Sequence, residues 1–458
     1  MSLPEFLTAR ILSQLKRGCD NSPQVVVTIN SINFENFRSF VDAVDVQLRP
    51  LTLLFGYNSA GKSALLRGLP LIAASLRTQE RAPIALVCPA ARQASFSDLL
   101  PHPALNASRR LGISLRLRLH SMDSVEEGRI TWRVTDLPDL KQQVVEHFEC
   151  AINGGLHLKA IWHPAASNSA RPANHYSIQL SHNPAVEAAI SFQGLVPEFT
   201  ESPESWQKPL KKLKQLFKEL RTDQTNVQWL GSVRRTPERN IRWRSTAPSM
   251  LEPDGSGAAD VLAYDDLAKG PLLGEVSGWY EKHLGWRLKV SQLADQYRLM
   301  MEPAQNSPVE VYFSDVGEGL VQVLPVLVAA ARLRDSSGAA PRILAVEEPE
   351  SHLHPRLHAA LTEKFCELAA LQDPPQIVVE THSENVLLRV QLAVAAGQLP
   401  PENVIVYWVR QSVDGRSRID PVEFDPLGQP KGNWPPGVFA EDLEQARRLL
   451  ELQRRGSS

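Results

Sequence analysis

The stretch Leu51–Leu66, LTLLFGYNSAGKSALL, decides the fold of this chain. Within it, residues 56–63 match the pattern GxxxxGK(S/T) without a mismatch. A short apolar run, Leu51–Phe55, leads into the match, and a helical pattern that ends near Leu76 follows it. Glycines let the backbone curl so that its N–H groups face phosphate oxygens, and the N-terminus of the helix adds partial positive charge. The stretch therefore predicts a phosphate-binding loop between a buried strand and a helix.

Two side chains of this loop are predicted to act on a nucleoside triphosphate. Lys62 would reach the β- and γ-phosphates, and the hydroxyl of Ser63 would bind Mg²⁺. The residues predicted to surround ATP here are Gly56, Tyr57, Asn58, Ser59, Ala60, Gly61, Lys62 and Ser63. ATP and Mg²⁺ are accordingly the predicted cofactors.

A second stretch, Arg342–Pro355 or RILAVEEPESHLHP, places two adjacent acids at the end of an apolar strand. Beside a phosphate loop, the first acid can hold Mg²⁺ through water and the second can polarise an attacking water. We therefore assign Glu347 to the metal and Glu348 to the water. His382 follows the apolar strand Gln376–Glu380, where a histidine can hydrogen-bond the γ-phosphate or the water. The predicted catalytic residues are Glu348, His382 and Lys62.

The pattern of strands and helices changes along the chain. Alternating runs between residues 110 and 195 predict an antiparallel β layer. The segment 208–221, KPLKKLKQLFKELR, has leucines at helical spacing with lysines opposite. It indicates a surface helix packed by its apolar stripe, and a contact with nucleic acid or a partner is the alternative. From Leu320 onward, strands alternate with helices, which predicts a parallel sheet.

Composition and charge exclude several classes of protein. Lys plus Arg (49) nearly balance Asp plus Glu (51) among 458 residues, so no overall field points to nucleic acid or an anionic membrane. The four cysteines lie far apart without a CxxC pair, which argues against a disulfide scaffold or a zinc ribbon. The longest apolar stretch has about 12 residues, short of the roughly 20 that span a bilayer. We therefore expect a cytoplasmic protein without a membrane partner.

These motifs, in this order, resemble the ABC-type ATPases of the structural-maintenance-of-chromosomes and recombination-repair lineage. Within it, the chain is similar to the branch of the overcoming-lysogenisation-defect nucleases and related phage-defence ATPases. The similarity rests on NFENFRSF, LTLLFGYNSAGKSALL, WLGSVRRTPERN, GSGAADVLAY, EEPESHLHP and ETHSENVLLR. The resemblance implies an α/β fold: an ABC-type P-loop ATPase head with a parallel core sheet and an antiparallel β layer, plus a helical insertion.

The resemblance also implies a division of the chain. We expect an N-terminal helix over residues 1–24, the ATPase head over 25–397 with a β and helical insertion at about 100–225, and a small C-terminal domain over 398–458. The end of the chain, FDPLGQPKGNWPPGVF, is similar to a small domain that closes some members of the branch. The Toprim nuclease domain of the overcoming-lysogenisation-defect enzymes is expected to be absent, because too few residues follow the head.

In such families two protomers enclose two ATP molecules, and each ATP is covered by a signature helix of the other protomer. The candidate signature residues here are Gly317, Glu318 and Gly319, at the start of the helix Leu320–Leu333. Gly317 stands where the family pattern has a serine, for which Ser314 is the candidate substitute, and a tight turn without a contact to the partner's ATP is the alternative. The resemblance therefore implies a homodimer, or a higher homo-oligomer, that forms around ATP.

Five arginines lie close together in SVRRTPERNIRWR, among them Arg234, Arg235 and Arg239. With the neighbouring tryptophans they form a candidate nucleic-acid contact, since arginines neutralise phosphates and tryptophans stack on bases. The same arginines could instead line the nucleotide site or pair with acids of the chain. Both alternatives stay open at this point.

Together, these patterns predict an ATP-hydrolysing switch that dimerises around ATP. By resemblance, it would control a separate effector protein, a nuclease by preference, in antiphage (antiviral) defence or DNA maintenance. One alternative is a stand-alone DNA-repair ATPase that binds DNA directly. A second alternative is a nearly inactive scaffold that uses ATP only to hold a dimer closed.

Overall fold

The computed structural model describes residues 26–120, 124–153, 155–164, 175–181, 183–199, 203–222, 225–305, 308–334, 341–432 and 447–448. The helix predicted over residues 1–24 lies outside these described residues. None of the helices in the described ranges is both long and apolar enough to cross a membrane.

The described ranges contain helices and strands in alternating blocks. The helices are α1 (Lys62–Arg77), α2 (Phe96–Leu99), α3 (Gln207–Glu219), α4 (Ala258–Leu267), α5 (Leu272–Leu284), α6 (Glu318–Arg332), α7 (Pro355–Ala369) and α8 (Glu384–Ala395). The strands are β1 (Val26–Glu35), β2 (Val44–Gln47), β3 (Leu51–Gly56), β4 (Arg110–His120), β5 (Val125–Leu137), β6 (Gln142–Ile152), β7 (Leu156–Trp162), β8 (His175–Leu180), β9 (Val186–Gln193), β10 (Val196–Phe199), β11 (Val227–Leu230), β12 (Ile241–Arg242), β13 (Trp286–Gln292), β14 (Gln296–Pro303), β15 (Val311–Tyr312), β16 (Ile343–Glu347), β17 (Gln376–Thr381), β18 (Val404–Gln411), β19 (Ser417–Phe424) and β20 (Pro430–Lys431).

The phosphate-loop strand β3 lies inside a seven-stranded sheet with the order β11-β16-β17-β3-β18-β19-β20. The first five strands are parallel, and β19 and β20 are antiparallel additions. All six residues of β3 are buried because helices cover both faces of the sheet. Leu54 packs in the core that contains α1, whereas Leu53 packs in the core that contains α6, α7 and α8. The predicted parallel sheet is confirmed.

A nine-stranded antiparallel sheet with the order β10-β9-β8-β7-β6-β5-β4-β1-β2 forms the second layer. One face is apolar, because inward and outward residues alternate along its strands. Helix α3 covers this face with its predicted apolar stripe, and the Phe217 ring lies 6.3 Å from the rings of Trp132 and Phe148. The region from about 100 to 225 is therefore mainly this β layer plus α3. The predicted α/β fold class, with a parallel core sheet and an antiparallel layer, is confirmed.

A smaller sheet of β12, β14 and β13, extended by β15, leads to the start of α6. Helices α4 and α5 pack beside it, and the buried Tyr297 donates a hydrogen bond of 2.8 Å to Asp260 of α4. This sheet positions the glycines that open α6. The sequence patterns predicted antiparallel strands between residues 110 and 195 but did not predict this smaller sheet.

The strands after residue 398 continue the core sheet. β18 pairs in parallel with β3, from Val404 opposite Leu51 to Val409 opposite Gly56. The apolar residues of β18 are buried, so this strand belongs to the centre of the head. Residues 404–431 of the predicted C-terminal domain contribute β18, β19 and β20 to the core sheet, and after Gly432 only residues 447–448 are described. The domain boundaries themselves remain a prediction.

Candidate nucleotide and metal site

The phosphate loop curls tightly between β3 and α1. Gly56 has φ +154°, and a Cβ there would lie 2.1 Å from the carbonyl oxygen of Val409 in β18. Gly61, directly before α1, has φ +107°, which L side chains rarely adopt. The two glycines of the motif are therefore required by the backbone. They aim the loop at the space above the carboxyl edge of the sheet.

Lys62 lies beneath this loop with 3% of its surface exposed. Its ammonium donates hydrogen bonds to the carbonyl oxygens of Gly56 (3.0 Å) and Tyr57 (2.8 Å). Burial lowers its pKa, and the nearby carboxylates of Glu380 and Glu348 act in the opposite direction. The lysine is thus a buried cation enclosed by the predicted phosphate loop.

The sheet order decides which acid meets Ser63. β17 lies between β3 and β16, so the acid nearest the loop comes from β17. The hydroxyl of Ser63 donates a hydrogen bond of 2.6 Å to Glu380 at the end of β17. Glu380 is 2% exposed, and its second carboxylate oxygen has no partner among the described residues. Glu380 is the site residue that our sequence analysis missed.

Glu347, which we assigned to the metal, faces a different set of groups. Arg67 of α1 donates to both of its carboxylate oxygens, at 2.6 and 2.5 Å, and the indole N–H of Trp229 donates at 3.0 Å. Its side chain does not line the cavity that contains Lys62. The structure therefore brings Glu380, and not Glu347, to Ser63, because Glu347 is one strand further from β3 and is held by Arg67.

Glu348 and His382 lie together on the far side of the same cavity. The carboxylate of Glu348 accepts a hydrogen bond of 3.0 Å from the hydroxyl of Ser351, and it lies 3.8 Å from Nε2 of His382. Burial lowers the pKa of His382, and the charge of Lys62 lowers it further. A neutral imidazole at this position can donate a hydrogen bond to an anionic ligand.

A cavity of about 360 Å³ joins these groups. Its lining residues are Asn58, Ser59, Gly61, Lys62, Ser63, Ala64, Glu348, Glu380 and His382. Ligand atoms of Glu348, Glu380 and His382 lie within 4.8 Å of one another. Carboxylate and hydroxyl oxygens suit Mg²⁺, and the unpartnered buried oxygen of Glu380 is available to a cation. The residues therefore fit a magnesium–nucleotide complex.

The candidate signature residues lie outside this cavity. Gly317 precedes α6, and a Cβ there would meet nothing within 4 Å. Gly319 packs against the turn after the acidic pair, where a Cβ would lie 2.3 Å from the carbonyl oxygen of His352. Glu318 accepts a hydrogen bond of 2.8 Å from Gln322 one turn later. Gly317 is thus open to a partner, whereas Gly319 has a role within the protomer.

The three arginines proposed for nucleic acid are engaged within the protein. Arg234 is 4% exposed, so it presents no surface to a nucleic acid. Arg235 lies 3.5 Å from Glu238, and Arg239 donates to both carboxylate oxygens of Asp315 at 2.9 Å. Arg235 and Arg239 nevertheless keep 65% and 61% of their side chains exposed, so a nucleic-acid contact at these two residues remains a prediction.

Residues 302–389 match the model of a protein family described as "AAA domain, putative AbiEii toxin, Type IV TA system". The match contains the acidic pair, Glu380 and His382 but not the phosphate loop. It covers less than half of the chain, and it supports an ATPase of the AAA type without assigning the whole chain to that family. No curated protein matches the chain.

Three solved structures are similar to this chain at low identity. The Smc head domain of Pyrococcus furiosus, with an extended coiled coil and bound to the C-terminal domain of ScpA, is 12% identical, with 94% of this chain and 100% of that chain covered and a TM-score of 0.46. The SMC head domain of Thermotoga maritima is 12% identical, with 86% and 99% covered and a TM-score of 0.38. The recombination mediator protein RecF-ATPrS of the RecFOR pathway is also 12% identical, with 87% and 99% covered and a TM-score of 0.34. At these values the likeness says nothing about partner or substrate.

The pKa of Glu380 predicts a pH dependence of folding stability. Burial raises this pKa from 4.5 to about 7, and the charge of Glu347 adds to the effect. Between these values the unfolded chain has released the proton while the folded chain keeps it, so the free energy of unfolding falls as pH rises. Glu380→Gln has no such proton to lose. As pH rises from about 4.5 to about 7, we therefore expect the free energy of unfolding of Glu380→Gln to increase relative to that of the wild type by up to about 3 kcal/mol. Urea unfolding at several pH values, without nucleotide or divalent metal, measures the difference.

If the free energies of unfolding of Glu380→Gln and the wild type differ by the same amount at every pH, the raised pKa of Glu380 is contradicted. Added Mg²⁺ provides a second check. If Glu380 holds the metal, Mg²⁺ should stabilise the wild type at pH values above the pKa of Glu380. The stability of Glu380→Gln should rise less when Mg²⁺ is added.

Proposed function

We propose that this chain is an ATP-binding and ATP-hydrolysing switch that dimerises around ATP. The observation that carries the proposal is the convergence of Lys62, Ser63, Glu380, Glu348 and His382 on one cavity at the carboxyl edge of the parallel sheet. Ligands of open parallel sheets bind at this edge. The match of residues 302–389 to an AAA domain supports the same conclusion.

In the proposed reaction, water attacks the γ-phosphorus in line with the bond to the leaving β-phosphate oxygen. Glu348 orients this water by accepting its hydrogen bond and takes up the proton that the water loses, and Lys62 lies where negative charge develops on the phosphate oxygens. His382 donates a hydrogen bond to the γ-phosphate. Ser63 and Glu380 would hold Mg²⁺, which neutralises phosphate charge when it is bound.

The first test is phosphate release by the purified chain with Mg²⁺ and ATP, measured beside equilibrium ATP binding. Turnover that depends on both cofactors supports the proposal. Tight ATP binding with negligible turnover would favour the scaffold alternative instead. Absence of both would contradict a nucleotide switch of any kind.

Dimerisation can be tested with two glycines of the signature segment that differ in their surroundings. Gly317→Ala meets open space in the protomer, so we expect an unchanged melting temperature but a turnover reduced about tenfold or more if this edge meets the partner's ATP. Gly319→Ala collides with the backbone at His352 and should cost about 1–3 kcal/mol of stability. Melting temperature, turnover at several protein concentrations, and light scattering with ATP separate the two effects. Normal turnover and normal ATP-dependent mass in Gly317→Ala would rule out the trans contact.

We further propose that the switch controls a separate effector, by preference a nuclease, in antiphage defence or DNA maintenance. One observation supports this: the description of the matched family model names a putative AbiEii toxin and a Type IV TA system. Tagged Glu348→Gln, recovered from its own host with Mg²⁺ and ATP, should bring a stoichiometric small protein with it. Recovery of the ATPase alone, or with nuclease-sensitive DNA, would shift the assignment to the stand-alone DNA ATPase.

A further inference from the structure

Arg234 lies under the acidic pair, and the reaction as proposed gives it no role. The residue follows β11 in the loop that starts at Gly231. One of its guanidinium nitrogens, Nη2, donates hydrogen bonds to the carbonyl oxygen of Glu347 and, at 3.3 Å, to that of Glu348. It therefore contacts the backbone of the two residues and not their carboxylates.

The backbone that Arg234 contacts is strained. Glu348 has φ +40°, in the left-handed region that side chains other than glycine rarely occupy, and Pro349 follows it and restricts it further. Such a conformation persists only where the surroundings hold it. Here the Glu348 N–H donates to the backbone carbonyl oxygen of Glu380 at 2.8 Å, and the Glu348 carbonyl oxygen accepts from Ser351 N–H at 3.1 Å as well as from Arg234. The strained geometry directs the Glu348 carboxylate into the cavity.

Arg234 is itself fixed from both sides. The N–H of Gly231 donates to the carbonyl oxygen of Pro253 at 2.8 Å, and the N–H of Arg235 donates to that of Asp254 at 2.7 Å. Arg234 lies near the negative charges of Glu350, Glu347 and Glu348, yet its Nε and Nη1 have no hydrogen-bond partner among the described residues. A buried cation with unused donors is costly to folding, which points to a role for Arg234 beyond folding.

We infer that Arg234 is a positioning residue for hydrolysis, which acts through the Glu347–Glu348 backbone to hold Glu348 in the orientation that activates water. The inference rests on the proposed ATPase function. It assigns Arg234 no contact with substrate and no part in ATP binding. Loss of these two hydrogen bonds should therefore lower the rate of the chemical step and leave ATP affinity nearly unchanged.

The test compares Arg234→Met, Arg234→Lys and the control Arg235→Met, whose arginine lies on the exposed side of the same loop. Single-turnover hydrolysis, equilibrium binding of ATP and melting temperature are measured for each. We expect Arg234→Met to slow hydrolysis about 10²-fold, because a small displacement of a catalytic group costs that much. Its ATP affinity should stay within threefold of wild type. Arg234→Lys should recover part of the rate, and Arg235→Met should match the wild type.

A double-mutant cycle with Glu348→Gln separates positioning from general damage. If Arg234 acts through Glu348, adding Arg234→Met to Glu348→Gln should slow the residual reaction no further. Additive losses, or a parallel fall in ATP affinity and melting temperature without recovery in Arg234→Lys, would overturn the inference. If the wild type hydrolyses ATP and Arg234→Met does so equally fast, only the inference about Arg234 is overturned. If the wild type does not hydrolyse ATP, both the proposed function and the inference are overturned.

Discussion

Lys62→Met should lose ATP hydrolysis by about 10³-fold or more and bind ATP far more weakly. The lysine is almost fully buried, and in the proposed reaction its ammonium stabilises the charge that develops on the transferred phosphoryl group. Removing one preorganised donor from such a site typically lowers kcat by about 10²–10³-fold. Because Lys62→Met also removes a full charge, we expect a decrease at the upper end of this range. Methionine keeps the length of the side chain, so the loop is not emptied. Phosphate release under single-turnover conditions and equilibrium binding of ATP measure the two effects.

Lys214→Met is the matched control, since Lys214 is an exposed lysine on α3 far from the cavity. It should hydrolyse ATP like the wild type. The melting temperature of Lys62→Met without nucleotide should not fall, because the variant no longer buries a charge. Turnover of Lys62→Met within fivefold of the wild type would contradict the assignment of this cavity to the nucleotide.

The local parts of the fold could be predicted because their signals are contiguous in sequence. The glycines of residues 56–63, the apolar β3 and the helix α1 adjoin one another, so one stretch determined all three. The strand β18 was missed although Val404–Val409 is an apolar run whose residues are all buried. Its pairing with β3 joins residues about 350 positions apart, and no local pattern encodes such a pairing.

The site shows the same limit at a finer scale. The sequence placed acids at the ends of β16 and β17, but it could not show that β17 lies between β16 and β3. That order brings Glu380 to Ser63 and leaves Glu347 to Arg67. The cluster of arginines in sequence left open whether Arg234 contacts nucleic acid, lines the nucleotide site or pairs with acids, and the loop carries it beneath the acidic pair. In both cases the tertiary arrangement, not the residue type, decides the role.

Glu348→Gln should keep ATP binding and slow hydrolysis by about 10²–10⁴-fold. General acid–base groups contribute rate factors of this size, and an amide cannot accept the proton that the attacking water loses. The exchange hardly changes shape, and the amide oxygen can still accept the hydrogen bond from Ser351. ATP affinity should therefore stay close to that of wild type. The ATP-bound state should accumulate, which light scattering detects as a longer-lived dimer.

Glu347→Gln provides the same chemical change at the adjacent acid, and the comparison decides between the two possible roles of Glu347. If Arg67 engages this carboxylate as in the structure, the variant should lose about 3 kcal/mol of stability, because a buried ion pair is broken, and its turnover should fall less than that of Glu348→Gln. If Glu347 instead holds Mg²⁺, the variant should need more Mg²⁺ for half-maximal turnover and remain stable. Magnesium titrations of the turnover rate, combined with urea unfolding, distinguish these outcomes. Full hydrolysis by Glu348→Gln would remove this residue from the chemistry and leave His382 as the group that orients the water.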